Sequence, residues 1–216
     1  SFEALLDHPE WMRATLERDY PSEWRDLIEA NNRRAPMSLR VNPAQTNVQA
    51  FLEVLDSQDI AYQKTELANS LVLTQPQAAQ SLPGWDLGHC SVQDLSAQFA
   101  GSLLVDAVRS NISPRLLDAC VAPGGKLFHL HELMSEAAQS HQIVAVDNNE
   151  ERLKDTRKIG ERLGHLDTDR IQFVCADATT DDASLGSKYD GILLDAPCSG
   201  SGTIRRNPDI RLLLAE

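Results

Sequence analysis

Residues from about Val92 to Pro197 alternate between two kinds of segment, and few folds accept that alternation. VQDLSAQFAGSLLVDAVR, GKLFHLHELMSEAAQ and NEERLKDTRKIGERLG carry apolar residues at helical spacing. RLLDAC, HQIVAVD, IQFVCAD and YDGILLDAP are instead short apolar runs of the kind buried on both faces of a sheet. Helices regularly inserted between such runs predict parallel strands joined by crossovers. Residues 85–216 are therefore expected to form a doubly wound, mostly parallel α/β domain. Residues 1–84 follow another pattern. EWMRATLERDY, SEWRDLIEANN and VQAFLEVLDSQ read as helices, with a break at Pro21, while MSLRVN and TELANSLVLT read as strands. A smaller α+β subdomain is expected there, followed by the polar stretch QPQAAQSLPGWD.

In open parallel sheets, ligands lie outside the carboxyl ends of the strands. The first strand end carries DACVAPGGKL, in which Pro123, Gly124 and Gly125 can turn tightly without a side chain close to a ligand. Asp147 ends the second strand, where a carboxylate can accept both hydroxyls of a ribose. Asp177 ends the third and Asp195 the fourth. Three carboxylates at one sheet edge point to a ribose-containing cofactor. The loop lacks the third glycine of GxGxxG, so a cofactor without a pyrophosphate fits best, S-adenosylmethionine foremost, with a nicotinamide nucleotide as the alternative.

Composition narrows the field further. A formal charge of -12 argues against strong generic attraction to nucleic acid. The four cysteines form no CxxC pair, so no metal site is expected. Neither a signal segment nor a membrane span is evident, which makes a cytoplasmic monomer the expectation. The chain begins at Ser1 and stops within the helix-like NPDIRLLLAE, as a fragment of a longer protein is expected to do. His129 and His131, two positions apart on a helix, face differently and are poor metal ligands. The three tryptophans are expected to pack rather than stack on bases.

CVAPGGK at 120–126, Asp147 after IVAV, Asp177 after FVCA, DAPCSGSG at 195–202 and RRNPD at 205–209 together resemble the S-adenosylmethionine-dependent RNA cytosine-5 methyltransferases. HPEW at 8–11, LRVN at 39–42 and VQDLSAQ at 92–98 extend the similarity over almost the whole chain, especially to the bacterial branch that acts on 16S ribosomal RNA. The resemblance implies a Rossmann-like methyltransferase fold. It also implies that Cys120, Val121, Ala122, Pro123, Gly124, Gly125 and Lys126 line the methionine and ribose side of the cofactor. Asp147 would take the ribose hydroxyls and Asp177 the adenine region, with Asp195 where cofactor and cytosine meet. Leu127 stands where this family usually has Thr or Ser, which removes a possible hydroxyl cap from the following helix.

Methylating C5 of cytosine requires a thiolate to add to C6, so that C5 becomes nucleophilic; a base then removes the C5 proton and the thiol leaves. Asp195 and Cys198 fit this chemistry by type and spacing, and Cys198 alone would be read as the attacker. The resembled family instead uses a later cysteine, in a Thr-Cys-Ser motif expected beyond Glu216, and gives the Pro-Cys thiol a part in product release. Without that segment the fragment is expected to be inactive. Arg205 and Arg206, together with Arg40 and the nearby Arg33 and Arg34, are candidate contacts to RNA phosphates. A transfer RNA substrate, or a non-catalytic RNA-binding protein retaining the cofactor fold, remains open.

Overall fold

Pro21 separates two helices, α1 (Glu10–Asp19) and α2 (Trp24–Asn32), as the sequence predicts. Trp24 and Ile28 form the buried stripe of α2. The computed structural model describes residues 7–137, 140–180, 182–186 and 188–214. It divides into two compact units, one formed by residues 1–35 and 197–216 and the other by residues 36–196. This division differs from the boundary expected at 84/85.

The larger unit opens with β1 (Met37–Val41), α3 (Val48–Ser57), β2 (Tyr62–Lys64), β3 (Ser70–Leu73) and β4 (Cys90–Val92). These strands make an antiparallel sheet in the order β2-β3-β1-β4. Its last strand lies past residue 84, where the sequence suggested only the start of a helix. The Asn47 side chain accepts the Ala50 N–H at 2.8 Å, capping α3. Phe51, Leu52 and Leu55 of that helix join Leu39, Val41, Leu71 and Leu73 in one core. Every residue of β1 is buried: Met37, Leu39 and Val41 join that core on one face, and Arg40 on the other meets Gly125 and Glu132.

The parallel half follows the predicted alternation. It runs α4 (Leu95–Val108), β5 (Arg115–Asp118), α5 (Gly125–Glu136), β6 (Gln142–Asp147), α6 (Glu150–Leu163), β7 (Ile171–Cys175) and β8 (Gly191–Leu193). The strand order is β7-β6-β5-β8, and all three pairings are parallel. Leu116, Ile143 and Ala145 face Leu127, Phe128, Leu130 and Leu153 on one side of this sheet. Leu117, Val144 and Val146 pack with Leu185 on the other. Winding proceeds outward through β6 and β7, then returns past β5 to β8. That reversal puts a topological switch point between β5 and β8, the place where such sheets bind ligands. Among the described residues nothing pairs with the outer edge of β8, where Ile192 is 58% and Leu194 67% exposed.

Polar contacts join the two sheets of this unit. Asn42 Nδ2 donates to the carbonyls of Gly88 and Leu163, each at 2.9 Å. Arg162 lies 3.9 Å over the Trp85 ring and donates to the Trp85 carbonyl at 2.7 Å.

The smaller unit adds α7 (Ile210–Leu213) to α1 and α2. Arg211, buried, donates to the Asn31 carbonyl at 2.8 Å and to Asn32 Oδ1 at 2.5 Å. It thereby satisfies acceptors that the end of α2 leaves unpaired. No described helix is long and apolar enough to cross a membrane.

Candidate active site

The cleft begins where β5 stops. Beyond Asp118 the backbone stays tied to its neighbours: Ala119 N–H donates to the Leu193 carbonyl at 2.9 Å, and Val121 N–H to the Val146 carbonyl at 2.8 Å. Gly124 N–H then closes a tight turn on the Val121 carbonyl at 2.7 Å, next to a cis Ala122–Pro123 bond. Gly124 has φ +97°, and a Cβ there would stand 2.7 Å from both Phe128 Cε2 and Thr156 Cγ2. Only glycine meets both demands. Helix α5 starts at Gly125 without a side-chain cap. Leu127 is fully buried in the core beneath, so its departure from Thr or Ser is absorbed by packing rather than by the loop surface.

Cys120, Val121, Ala122, Pro123, Gly125 and Lys126 line one cavity of about 110 Å³, which Asp195 shares. Lys126 Nζ lies 2.5 Å from Asp195 Oδ2. The cation at the start of α5 thus meets the carboxylate that follows β8, across the switch point. Asp147, 4% exposed, stands behind this loop. Its Oδ2 accepts the Ala122 N–H at 3.3 Å and lies 3.5 Å from Arg152 Nη2, while Oδ1 accepts the Asn149 N–H at 3.1 Å. Two oxygens carry about four acceptor positions, so this fixed carboxylate keeps capacity for ligand hydroxyls. Asp177 stands apart from the cavity. Its Oδ1 accepts both the Thr179 N–H at 2.9 Å and the Thr179 hydroxyl at 2.7 Å, and that hydroxyl bond holds the carboxyl below the usual range.

Two residues of the cavity were missed in the sequence. Asp118 opens the DACVAPGGK motif and is 1% exposed. Burial pushes its carboxyl up to about 7, against the opposing pull of the Cys120 N–H and of Lys126. Its Oδ2 has no hydrogen-bond partner. Gln93, in VQDLSAQ, is 8% exposed, and its Nε2 is likewise buried without a partner. Both atoms belong to side chains lining the same cleft. The available signal was a polar residue beside an element boundary within a quoted motif.

Arg40 is a correction. The sequence places it among RNA contacts, but it is 2% exposed and enclosed by the protein. Nη1 donates to Gln93 Oε1 at 2.9 Å and to the Gly125 carbonyl at 3.2 Å, and Nη2 to Glu132 Oε1 at 3.2 Å. Arg40 Nε also lies 3.1 Å from Glu132 Oε2. Glu132 in turn meets His165 Nε2 at 2.9 Å. His129 and His131 are buried on α5, and burial lowers the first to about 3 and the second to about 4. Among the described residues no group of acidic, His and Cys side chains is arranged to hold a metal ion.

The smaller unit carries the remaining candidates. Cys198 is exposed, and its Sγ accepts the Gly200 N–H at 3.4 Å. Arg205 donates to the Arg34 carbonyl at 2.8 Å, which gathers it with Arg33, Arg34 and Trp11 around a cavity of about 1080 Å³. Arg206 is exposed and does not line that cavity. Of the other thiols, Cys90 is buried and pushed up to about 11 by desolvation. Cys175 is the last residue of β7, and its side chain is exposed.

Comparison with known proteins adds a second line of observation. The family model described as 16S rRNA methyltransferase RsmB/F matches residues 107–216, and the RsmF/B-like ferredoxin-like domain matches residues 8–80. The probable ribosomal RNA small subunit methyltransferase B of Coxiella burnetii is 38% identical over 215 residues, which is 99% of this chain and 48% of that protein. The ribosomal RNA small subunit methyltransferase B of Yersinia pseudotuberculosis is 39% identical over 208 residues, covering 95% of this chain and 46% of that protein. The chain therefore spans about half the length of these relatives. A methyltransferase homolog protein from Pyrococcus horikoshii, solved by crystallography, superimposes with a TM-score of 0.72 at 28% identity, covering 90% of this chain and 64% of that one.

Proposed function

The chain belongs to the 16S rRNA methyltransferase RsmB/F family, and on that premise we propose that it is the cofactor-binding part of an enzyme that methylates C5 of a cytosine in 16S ribosomal RNA. The carrying observation is the convergence of the CVAPGGK loop and Asp195 on one cleft at the β5/β8 switch point. The residues fit S-adenosylmethionine. Gly124 leaves the turn tight and Gly125 leaves the cleft floor without a side chain, while Asp147 is held ready for two hydroxyls. The unpartnered Asp118 Oδ2 offers an acceptor to a cationic group. When bound, that cofactor supplies an electrophilic methyl group.

The chain's own groups then have separate tasks. Lys126 and Asp195 form the polar end of the cleft, from which the carboxyl of Asp195 would hydrogen-bond the cytosine edge. Asp177 is assigned the adenine end. Cys198 is assigned the release step, with the attack on C6 left to a later Thr-Cys-Ser segment of the kind the resembled family carries. Arg205 and Arg206 are assigned to RNA phosphates, with Arg33 and Arg34 beside the first of them.

Calorimetric titration of this chain with S-adenosylmethionine, with NAD as the control, tests the reading. Saturable binding of the first alone, lost in Asp147→Ala, is expected. Heat with NAD, or none with S-adenosylmethionine, overturns it. In the full-length protein, tritium transfer from the labelled cofactor into 16S ribosomal RNA tests the substrate.

A further inference from the structure

Arg40 is a buried cation on β1, yet two of its contacts belong to the cofactor cleft rather than to its own sheet. A guanidinium can only donate hydrogen bonds. Whatever faces it must therefore be an acceptor, and at 2.9 Å that acceptor is the amide oxygen of Gln93. The choice fixes the rest of the side chain, because the amide nitrogen must then point the other way. There Nε2 lies beside the floor of the cleft, 4.0 Å from where a Cβ on Gly125 would be. Gln93 is 8% exposed as a residue, and its Nε2 is buried without a partner. A buried unpaired donor is costly in the empty protein and becomes favourable when a ligand oxygen reaches it.

The same guanidinium holds the Gly125 carbonyl at 3.2 Å, at the first residue of α5 and next to the glycine turn. Glu132, two turns further along the same face of α5, neutralises it and is itself anchored to His165. Gln93 is restrained from two more directions. Its backbone N–H donates to the Ser38 carbonyl at 3.1 Å, and its carbonyl accepts from Gln98 Nε2 at 2.9 Å.

Building on the proposed function, we infer that Arg40 is a positioning residue of the cofactor site. It turns the Gln93 amide so that its N–H groups face the bound molecule, and it clamps the start of α5 at the same time. Gln93 is the ligand-contacting partner, offering donors to a carboxylate or carbonyl oxygen of the cofactor. The antiparallel sheet thus contributes to cofactor binding through one buried cation.

A double-mutant cycle on this chain tests the inference, with S-adenosylmethionine affinity by calorimetry and Tm by scanning calorimetry read in parallel. Arg40→Met and Gln93→Ala are each expected to weaken binding about tenfold, as loss of a hydrogen bond to a charged group does. Their combination is expected to bind no worse than Gln93→Ala alone. Gln93→Glu keeps the acceptor that Arg40 needs but deletes the donors, so it is expected to retain Tm and lose affinity. Additive losses in the double variant, or wild-type affinity in Gln93→Glu, overturn the inference. A readout without cofactor separates it from the proposed function: the Gln93 side-chain NH₂ signals in ¹⁵N-resolved NMR are expected to be exchange-protected in the wild type and to lose that protection in Arg40→Met. Unchanged signals overturn the inference, whereas failure of wild type to bind S-adenosylmethionine overturns the functional reading.

Discussion

The loop after β5 and the loop after β8 leave the same parallel sheet at the same end, and they are built on opposite principles. Residues 119–124 are bonded into the sheet they leave: Ala119 reaches the Leu193 carbonyl, Val121 the Val146 carbonyl and Ala122 the Asp147 carboxylate, with Ala119 and Val121 buried. Residues 194–199 are exposed along their whole length. The bonds of the segment around Cys198 are local, Gly200 N–H to the Cys198 sulfur and the Ser199 hydroxyl to that of Ser201. The first loop arrives at its ligand already shaped. The second keeps the Cys198 thiol in water, and its Asp195 pairs with Lys126 at the start of α5. A cofactor rewards preorganisation, whereas a large substrate that must be admitted and released rewards a loop that can yield.

Substitutions can break or sharpen this contrast. The largest effect is expected beneath the rigid loop, at Glu132: Glu132→Leu leaves Arg40 buried without its counter-charge, a loss of about 3–5 kcal/mol measurable by urea unfolding. Next comes the turn itself. Gly124→Val forces a positive φ on a branched side chain and drives atoms into Phe128 and Thr156, costing about 3 kcal/mol by the same measurement. Asp118→Asn acts through pH. The folded carboxyl titrates near 7, above its unfolded range, so the native state holds the extra proton between about pH 4 and 7 and stability falls as pH rises through that window. Removing the charge is expected to stabilise the protein at pH 8 by on the order of 2 kcal/mol and to change little at pH 4, as Tm measured at the two pH values will show. The smallest effect belongs to the open loop. A Cβ on Gly202 meets nothing within 4 Å, so Gly202→Ala is expected to change stability by less than about 0.5 kcal/mol. A large loss there would mean that the second loop is as tightly built as the first.

The parallel half was legible because its strands are short apolar runs and its helices carry a separate period, and the two signals alternate without interruption. The candidate site was legible at the strand ends for the same reason: Asp147, Asp195 and the glycine turn follow immediately after apolar runs. What could not be read was the third dimension of polar residues near element boundaries. Arg40 looks like any surface arginine close to Arg33 and Arg34, and only the packing of its face of β1 against Gly125 and Glu132 of α5 encloses it. Gln93 and Asp118 were hidden similarly, since nothing in a linear chain says which buried amide or carboxylate lacks a partner. Strand β4 was lost because three residues directly before a helix carry too little period to separate from it. The grouping of both chain ends into one compact unit rests on contacts such as Arg211 with Asn31, which join residues 180 positions apart and leave no local mark in the chain.

The outer edge of β8 has one more consequence. Unpaired backbone donors and acceptors beside Ile192 and Leu194 form a short template on which any extended apolar segment can lay down another strand. A strand added there would hide Ile192 and Leu194 from water and pair the backbone groups that β5 leaves to the outside.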